Sequence, residues 1–399
     1  MNLPGPYATM VLAALGADVI KIEPPRGDSA RHIGQLFDLV NAGKKSVSVD
    51  LKSPAGVAAL APLLASADVL VEGFRPGVMA NFGLDAQALR EKHPRLVYCS
   101  VSGFGQVGPY TQYPAHDLNL QAITGVCHMM RGSDGHPWGC ALPIADLSSG
   151  MTAVATILAA LLQRERTGRG QTLDVALCDT VLSWAYLWDR GLDADEARLS
   201  DVVAPMHKWL NKSDGGTAPR PVLDRIARFL DDAKTPDRLD RVGERLKQTR
   251  AFGQFARMRL HALPHYGVYR TRDDQWLSIG IVDEDKFWRA LCRGLGLPAA
   301  LSSIPGVGRV VAGGPLRRVV ARALQRRTQA EWLAHFDRAN VPVTAVLPLA
   351  EALCDPQLVT RATGAYGAAV PGALGLLACA PGPGQAPRLG EHNSELLAG

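Results

Sequence analysis

A few places in this chain carry residue types that could do chemistry. Asp146 stands in Pro143-Ile144-Ala145-Asp146-Leu147-Ser148-Ser149-Gly150-Met151, at the start of a long apolar helix pattern. An aspartate there can cap the helix by accepting free N–H groups of its first turn, a contribution of ~1 kcal/mol. A helix N-terminus also favours an anion, so the same carboxylate could attack a thioester or take a proton beside one. Spacing leaves both readings open. His116-Asp117 follows Pro114 and opens a second helix pattern. An imidazole titrates near neutrality and suits general acid–base work, while Asp117 suits a cap. Asp283-Glu284-Asp285 precedes Phe287-Trp288. Acids at a helix start complement the macrodipole, and a buried carboxylate there could instead orient a histidine. Lys44-Lys45 and Arg75 sit in loops near strand ends, beside Gly43, Gly73 and Gly77. Cations with close-approaching backbone could hold the phosphates of a nucleotide-like ligand.

Other chemistries fall away. Neither a G-x-x-x-x-G-K-[ST] nor a G-x-G-x-x-G loop follows the first strands, which argues against an NTPase or a dinucleotide-dependent dehydrogenase. A G-x-S-x-G elbow and an H-E-x-x-H pair are absent, which removes ordinary serine hydrolases and zincins. The 7 cysteines are scattered and never form C-x-x-C. A disulfide framework or zinc site is therefore not expected, and a reducing cytoplasm is. No basic n-region marks a signal peptide. The longest apolar stretch, Thr152 to Leu162, is short of the ~20 residues that span a bilayer, so no membrane partner is expected.

These residues need elements to position them. Val19–Ile22, Ser46–Val49, Asp68–Val71, Leu96–Val101 and Thr172–Val175 read as strands. Helical patterns lie between, at Ala55–Ala65, Asp117–Met129 and Leu147–Arg166. Such alternation predicts a parallel α/β sheet with helices on its faces. Sheets of this kind bind ligands beyond the carboxyl ends of their strands, where the loops Glu72–Gly77 and Ser102–Gly105 lie. At the start, Leu3–Ala8 reads as a tight Pro/Gly turn feeding a helix over Thr9–Leu15, with no room for a preceding strand.

Residues 191–260 change character: strands vanish, charge rises, and Gly215-Gly216, Pro219 and Pro221 punctuate amphipathic patterns. Residues 205–260 hold 13 Lys/Arg against 7 Asp/Glu, more than the whole net charge of +5. A basic segment with few aromatics is a solvated helical face, so nucleic acid is not expected as a partner. From His265 a second unit begins, with a hairpin of Tyr266–Thr271 and Trp276–Ile281. Helices follow at Asp285–Gly294, Leu316–Arg326 and Gln329–Ala339, then a short strand at Pro342–Val346 and an irregular Gly/Pro-rich tail from Gly364. With 399 residues, 47% hydrophobic and 20% charged, the chain can bury sizeable cores and is neither disordered nor fibrous.

In order along the chain, these segments resemble the class III CoA-transferase family, also called CaiB–BaiF, which includes α-methylacyl-CoA racemases. The matching text begins with Leu3–Thr9, Leu15–Glu23 with Gly27-Asp28, and Asn41 with Gly43–Val47 and Asp50-Leu51. Phe74–Val78, Ser102–Gln106 with Gly108–Tyr110, Ile157–Leu161 and Arg166–Gln171 continue it. Tyr266–Thr271, Val341–Val343 and Leu389–His392 complete it. Only about 195–260 lacks a counterpart.

The resemblance implies an α/β fold. A Rossmann-like parallel-sheet large domain over 1–190 would be completed by 347–399. A linker or insertion at 191–261 and a smaller α+β domain at 262–346 would follow. It further implies an interlocked homodimer, each chain passing through a ring formed by the other, with active sites between the large domain of one and the small domain of its partner. The expected substrates are an acyl-CoA and a carboxylic acid, with no separate cofactor because coenzyme A enters as part of the substrate. CoA would lie near Lys44, Lys45, Phe74, Arg75 and Gly77.

Two chemistries share that scaffold. In the transferases the aspartate matching Asp146 attacks the donor thioester, forming an acyl–aspartyl anhydride and then an enzyme-bound thioester. In the racemases the aspartate matching Asp146 and the histidine matching His116 exchange the α-proton from opposite faces, and a glutamate matching Glu284 partners the histidine. His116 and Glu284 fit a racemase. Leu260–Pro264 stands where formyl-CoA transferases carry a Gly-rich loop, whereas Pro143–Leu147 looks like the transferase helix start. The transferase reading is placed first, the racemase second, and a non-catalytic CoA-binding protein third. Two departures bear on activity: the family's opening strand is absent, as expected of a truncated or wrongly started chain, and Asn81 stands where many members have an arginine.

Overall fold

Short runs of β-branched residues make five parallel strands in the first half of the chain. The computed structural model describes residues 3–32, 36–130, 136–189, 263–281, 284–304, 306–352, 354–356 and 386–397. These fall into two units, one of 1–187 with 353–399 and one of 188–352. The segment 190–262, Asp283 and most of the expected tail lie outside the described residues.

In the first unit β1 (Ile20–Glu23) pairs in parallel with β2 (Lys45–Ser48), Ile20 opposite Lys45. A second parallel ladder runs β3 (Val69–Glu72), β4 (Val97–Ser102) and β5 (Thr172–Ala176), with Val71 opposite Cys99 and Cys99 opposite Leu173. Parallel strands demand long crossovers. Helix α1 (Pro4–Ala14) precedes β1, and α2 (Leu36–Asn41) joins β1 to β2. Helices α3 (Pro54–Ala59) and α4 (Ala61–Ser66) lead to β3, and α5 (Val78–Asn81) and α6 (Ala86–Lys92) to β4. Helices α7 (Asp117–Ile123), α8 (Val126–Met129) and α9 (Ile144–Thr167) carry the chain on to β5, and α10 (Leu177–Asp189) follows. Every residue of β4 is buried, as a central strand covered on both faces should be. Cys99, Val101 and Val175 pack with Ala8, Val11, Val154 and Ile157 of α1 and α9. Tyr98, on the opposite face, packs with Leu84, Leu89 and Leu96.

Helix α9 is the pillar of this unit. Its 24 residues span about 36 Å, well beyond the apolar stretch read from the sequence. By length and composition it could cross a bilayer, but here Ala145, Ala153, Ile157 and Ala160 are at most 2% exposed within the protein core. Gly150 explains how closely α1 lies against it. A Cβ at Gly150 would sit 2.6 Å from Tyr7 Cδ1 and 3.0 Å from the Pro4 carbonyl oxygen.

The chain start differs from expectation: Pro4 opens α1 instead of a tight turn. Proline is tolerated there because first-turn amides have no intrahelical partner. Buried Glu23 knots the same region. Arg31 meets it twice, Nε to Oε2 at 2.8 Å and Nη2 to Oε1 at 2.6 Å, while Ser46 Oγ and the Asp28 amide donate at 2.8 and 3.1 Å. Burial alone would push the Glu23 carboxyl up, but these bonds outweigh it and hold it below the usual value. The C-terminal segment docks on β2: Asn393 accepts from the Ser48 amide at 2.8 Å and donates to its carbonyl at 3.1 Å.

The second unit is an antiparallel sheet of β6 (Tyr266–Arg270), β7 (Trp276–Gly280) and β8 (Val343–Ala345). Its helices include α11 (Asp285–Gly294), α12 (Ala299–Ser302), α13 (Gly306–Val311), α14 (Gly313–Leu324) and α15 (Gln329–Arg338). Trp288, Leu291, Trp332 and Phe336 form its centre. Both indoles are satisfied, Trp288 by the Leu301 carbonyl at 2.9 Å and Trp332 by that of Leu324 at 2.7 Å.

Candidate active site

The first turn of a helix leaves amides that must find acceptors. In α9 they do so without Asp146. The Ile144 amide donates to the Leu142 carbonyl at 2.8 Å. The amides of Ala145 and Asp146 itself both donate to Asp117 Oδ1, at 2.7 and 3.1 Å. Asp117 thus caps α9 from the first turn of α7, although the sequence pattern assigned it to α7 alone. Its other oxygen accepts from Gln121 Nε2. Gln121 is 1% exposed and holds the backbone of Cys140, accepting from its amide at 2.7 Å.

Asp146 is therefore released from the capping role its position suggested. It projects from the first turn of α9, half-buried, and among the described residues no hydrogen bond reaches its carboxylate. Burial pushes its pKa up, the nearby Asp117 charge pushes it further, and His116 opposes both, leaving it at about 6. His116 lies immediately before α7 in extended backbone (φ −118°, ψ 171°) and is exposed. Its amide donates to Asn119 Oδ1 at 3.0 Å. The structure thus brings Asp146, Asp117 and His116 into one electrostatic group. Sequence reasoning missed the reach of Asp117 and missed Gln121. The available signal was their i, i+4 spacing, which puts both side chains on one helix face beside His116.

The other expected residues are placed differently. Glu284 belongs to the second unit, where it precedes α11 without a side-chain cap bond to that helix. Lys44 is 5% exposed. Its Nζ donates to the Pro6 carbonyl at 2.9 Å, Thr9 Oγ1 at 2.8 Å and Asn41 Oδ1 at 3.0 Å. This corrects the expectation that Lys44 meets a ligand phosphate, because all three of its hydrogens already serve the protein. Burial works against its charge and pushes its pKa down, but three oxygens accept from Nζ and only an ammonium can donate to all three. Lys45 is engaged at the surface by Asp18 at 3.0 Å and Glu395 at 3.6 Å.

Phe74, Arg75 and Gly77 lie in the loop beyond the carboxyl end of β3. Phe74 is 43% exposed and packs edge-on to Phe82, and Gly77 turns the chain at φ +87°. Arg75 is exposed, and among the described residues its guanidinium makes no ion pair. Beyond β4, Gly103-Phe104-Gly105-Gln106-Val107-Gly108 does have G-x-G-x-x-G spacing. It runs into turns and not into a helix, so it lacks the context of a dinucleotide fingerprint.

Comparison with known proteins adds to this geometry. The sequence matches the profile of CoA-transferase family III over residues 1–193 and 240–393. It is 30% identical to acetyl-CoA:oxalate CoA-transferase of Acetobacter aceti over 371 residues, 90% of this chain and 81% of that one. It is equally 30% identical to alpha-methylacyl-CoA racemase of Homo sapiens over 352 residues, 87% of this chain and 75% of that one. Among solved structures, the orthorhombic form of Rv3272 from M. tuberculosis superposes with a TM-score of 0.70 at 25% identity, covering 99% of this chain and 95% of that one.

Proposed function

Because the chain belongs to CoA-transferase family III, we propose that it moves coenzyme A from an acyl-CoA donor to a carboxylic acid, with Asp146 as the nucleophile. The observation that carries this reading is the unbonded Asp146 carboxylate, freed from capping by Asp117. With a pKa of about 6 it is mostly ionised at neutral pH and more basic than an ordinary carboxylate, which improves a nucleophile.

Each step balances. The Asp146 carboxylate adds to the donor's thioester carbonyl, and the C–S bond breaks to give an acyl–aspartyl anhydride and the CoA thiolate. That thiolate attacks the aspartyl carbonyl, releasing the donor's carboxylate and leaving CoA as a thioester on Asp146. The acceptor carboxylate attacks next, forming a second anhydride and freeing the thiolate. Attack of the thiolate on the acceptor's carbonyl yields the new acyl-CoA and restores Asp146. Phe74, Arg75 and Gly77 are the residues assigned to CoA, with exposed Arg75 suited to a phosphate. An interlocked homodimer in the cytoplasm belongs to the same proposal.

A second reading is favoured by one observation: His116 immediately precedes Asp117, whose carboxylate holds the first-turn amides of Ala145 and Asp146, so two groups able to exchange a proton share one neighbourhood. In that reading Asp146 and His116 would invert the α-carbon of a 2-methylacyl-CoA, with Glu284 partnering His116. Mass spectrometry of a 2-methylacyl-CoA incubated in D2O with an added carboxylic acid separates the two. The transferase reading expects CoA to reappear on the added acid, with no α-deuterium. Uptake of one deuterium, lost in both Asp146→Ala and His116→Ala, would replace it with the racemase.

A further inference from the structure

The ladder β3-β4-β5 brings an acidic row to the strand ends from which the ligand loops depart. Glu72 of β3 lies opposite Ser100 of β4, and Ser100 lies opposite Asp174 of β5. Strand alternation sends all three side chains to one face. Two residues earlier on that face stand the apolar Leu70 and the buried ring of Tyr98, with Thr172 of β5 opposite Tyr98.

Each carboxylate holds a loop. Glu72 Oε2 accepts the Phe74 amide at 2.7 Å, bending the chain sharply past Gly73. Asp174 Oδ2 accepts the Gln106 amide at 2.8 Å, reaching from β5 to the loop that leaves β4. Gly105, at φ +78°, permits that reach, because a Cβ there would lie 3.2 Å from Asp174 Oδ2. Between them Ser100, buried on β4, lies opposite both carboxylates in the ladder. The loops also meet directly, Gln112 Nε2 donating to the Pro76 carbonyl at 3.2 Å. At the end of β4, Ser102 is 5% exposed and its hydroxyl has no partner among the described residues. Loop amides have no ladder partner, and a carboxylate is among the strongest acceptors available to them.

We infer that Glu72 and Asp174 are positioning residues for the acyl-CoA, each fixing one of the two strand-end loops between which its arm is received. This rests on the acyl-CoA reading above. Burial, with the Asp174 charge adding, raises the Glu72 carboxyl above its ordinary value. Glu72→Gln removes the carboxyl's charge but keeps an oxygen that can accept from the Phe74 amide.

The test measures CoA binding to the full chain by calorimetry, KM and kcat with a donor thioester, and amide hydrogen exchange without ligand. Glu72→Ala is expected to weaken CoA binding about tenfold, and the more exposed Asp174→Ala about threefold. KM should rise in step while kcat stays within about twofold. Glu72→Gln and Asp174→Asn should bind CoA within about twofold of wild type, since an acceptor remains. Exchange should quicken over 73–77 in Glu72→Ala and over 103–108 in Asp174→Ala. Alanine variants that bind CoA like wild type, or that lose kcat at constant KM, overturn the inference and leave the acyl-CoA reading standing. Wild type failing to bind CoA overturns that reading instead, and unchanged exchange in the variants would then overturn the loop-holding role as well. Should the alanine variants not fold, a tenfold or greater loss of CoA binding in Glu72→Gln overturns it.

Discussion

Lys44 and Asp146 are both charged groups drawn into the first unit, and the protein treats them in opposite ways. Lys44 is surrounded by three oxygens at 2.8 to 3.0 Å, two contributed by α1 and one by the end of α2. Asp146 is half-buried beside a second carboxylate, and the amides that could have satisfied it are given to Asp117. A buried charge with every bond made is a structural joint. A carboxylate left unbonded against a like charge is held at higher free energy, and that is what a nucleophile or base needs. Glu23 sharpens the contrast: it too is buried, but Arg31, Ser46 and the Asp28 amide hold its carboxyl below the ordinary value where Asp146 is held above it.

The contrast breaks most visibly on substitution of Asp146. Asp146→Ala is expected to lower turnover by about 10⁴-fold, as removal of a covalent nucleophile does, with an unchanged circular dichroism spectrum. Lys44→Met should do the reverse. Three oxygens lose their donor, so denaturant unfolding should show a loss of about 2 to 4 kcal/mol, while the folded fraction keeps its CoA affinity.

Smaller effects test the electrostatics. Activity should fall as pH drops through about 6, because Asp146 must be ionised. Asp117→Asn keeps an oxygen for the Ala145 and Asp146 amides but removes the like charge. It should move that acid limb to lower pH in a kcat/KM profile. A limb that stays in place would remove Asp117 from the site. The weakest signal is in stability. The Asp146 pKa is raised on folding, so its penalty is absent below the unfolded value and fully present above the folded one. Asp146→Asn should therefore raise stability at pH 8 by on the order of 1 kcal/mol, after solvent screening, and leave it unchanged at pH 4.

Much of the frame was legible because period and β-branching report local structure. Leu96–Val101 appears as Val97–Ser102, and the hairpin after His265 appears as β6 and β7. The chain start was not, since two prolines in a first turn imitate a loop while leaving a helix intact. At the site, the residue types at 116 and 146 suggested chemistry, but their arrangement was invisible. Asp117 and Ala145 are 28 residues apart, and no spacing rule connects a side chain to a helix that far along the chain. Lys44 misled for the same reason. A lysine after a glycine looks like surface, and the Pro6 carbonyl that buries it lies 38 residues earlier.

The most direct measurement is chemical trapping. The protein is mixed with a donor acyl-CoA in the presence of hydroxylamine, and its peptides are examined by mass spectrometry. Attack on an aspartyl anhydride or aspartyl thioester leaves a hydroxamate on the residue that carried it. The account predicts that hydroxamate on Asp146 alone, dependent on the thioester. An unmodified Asp146 in protein that still transfers CoA would contradict it.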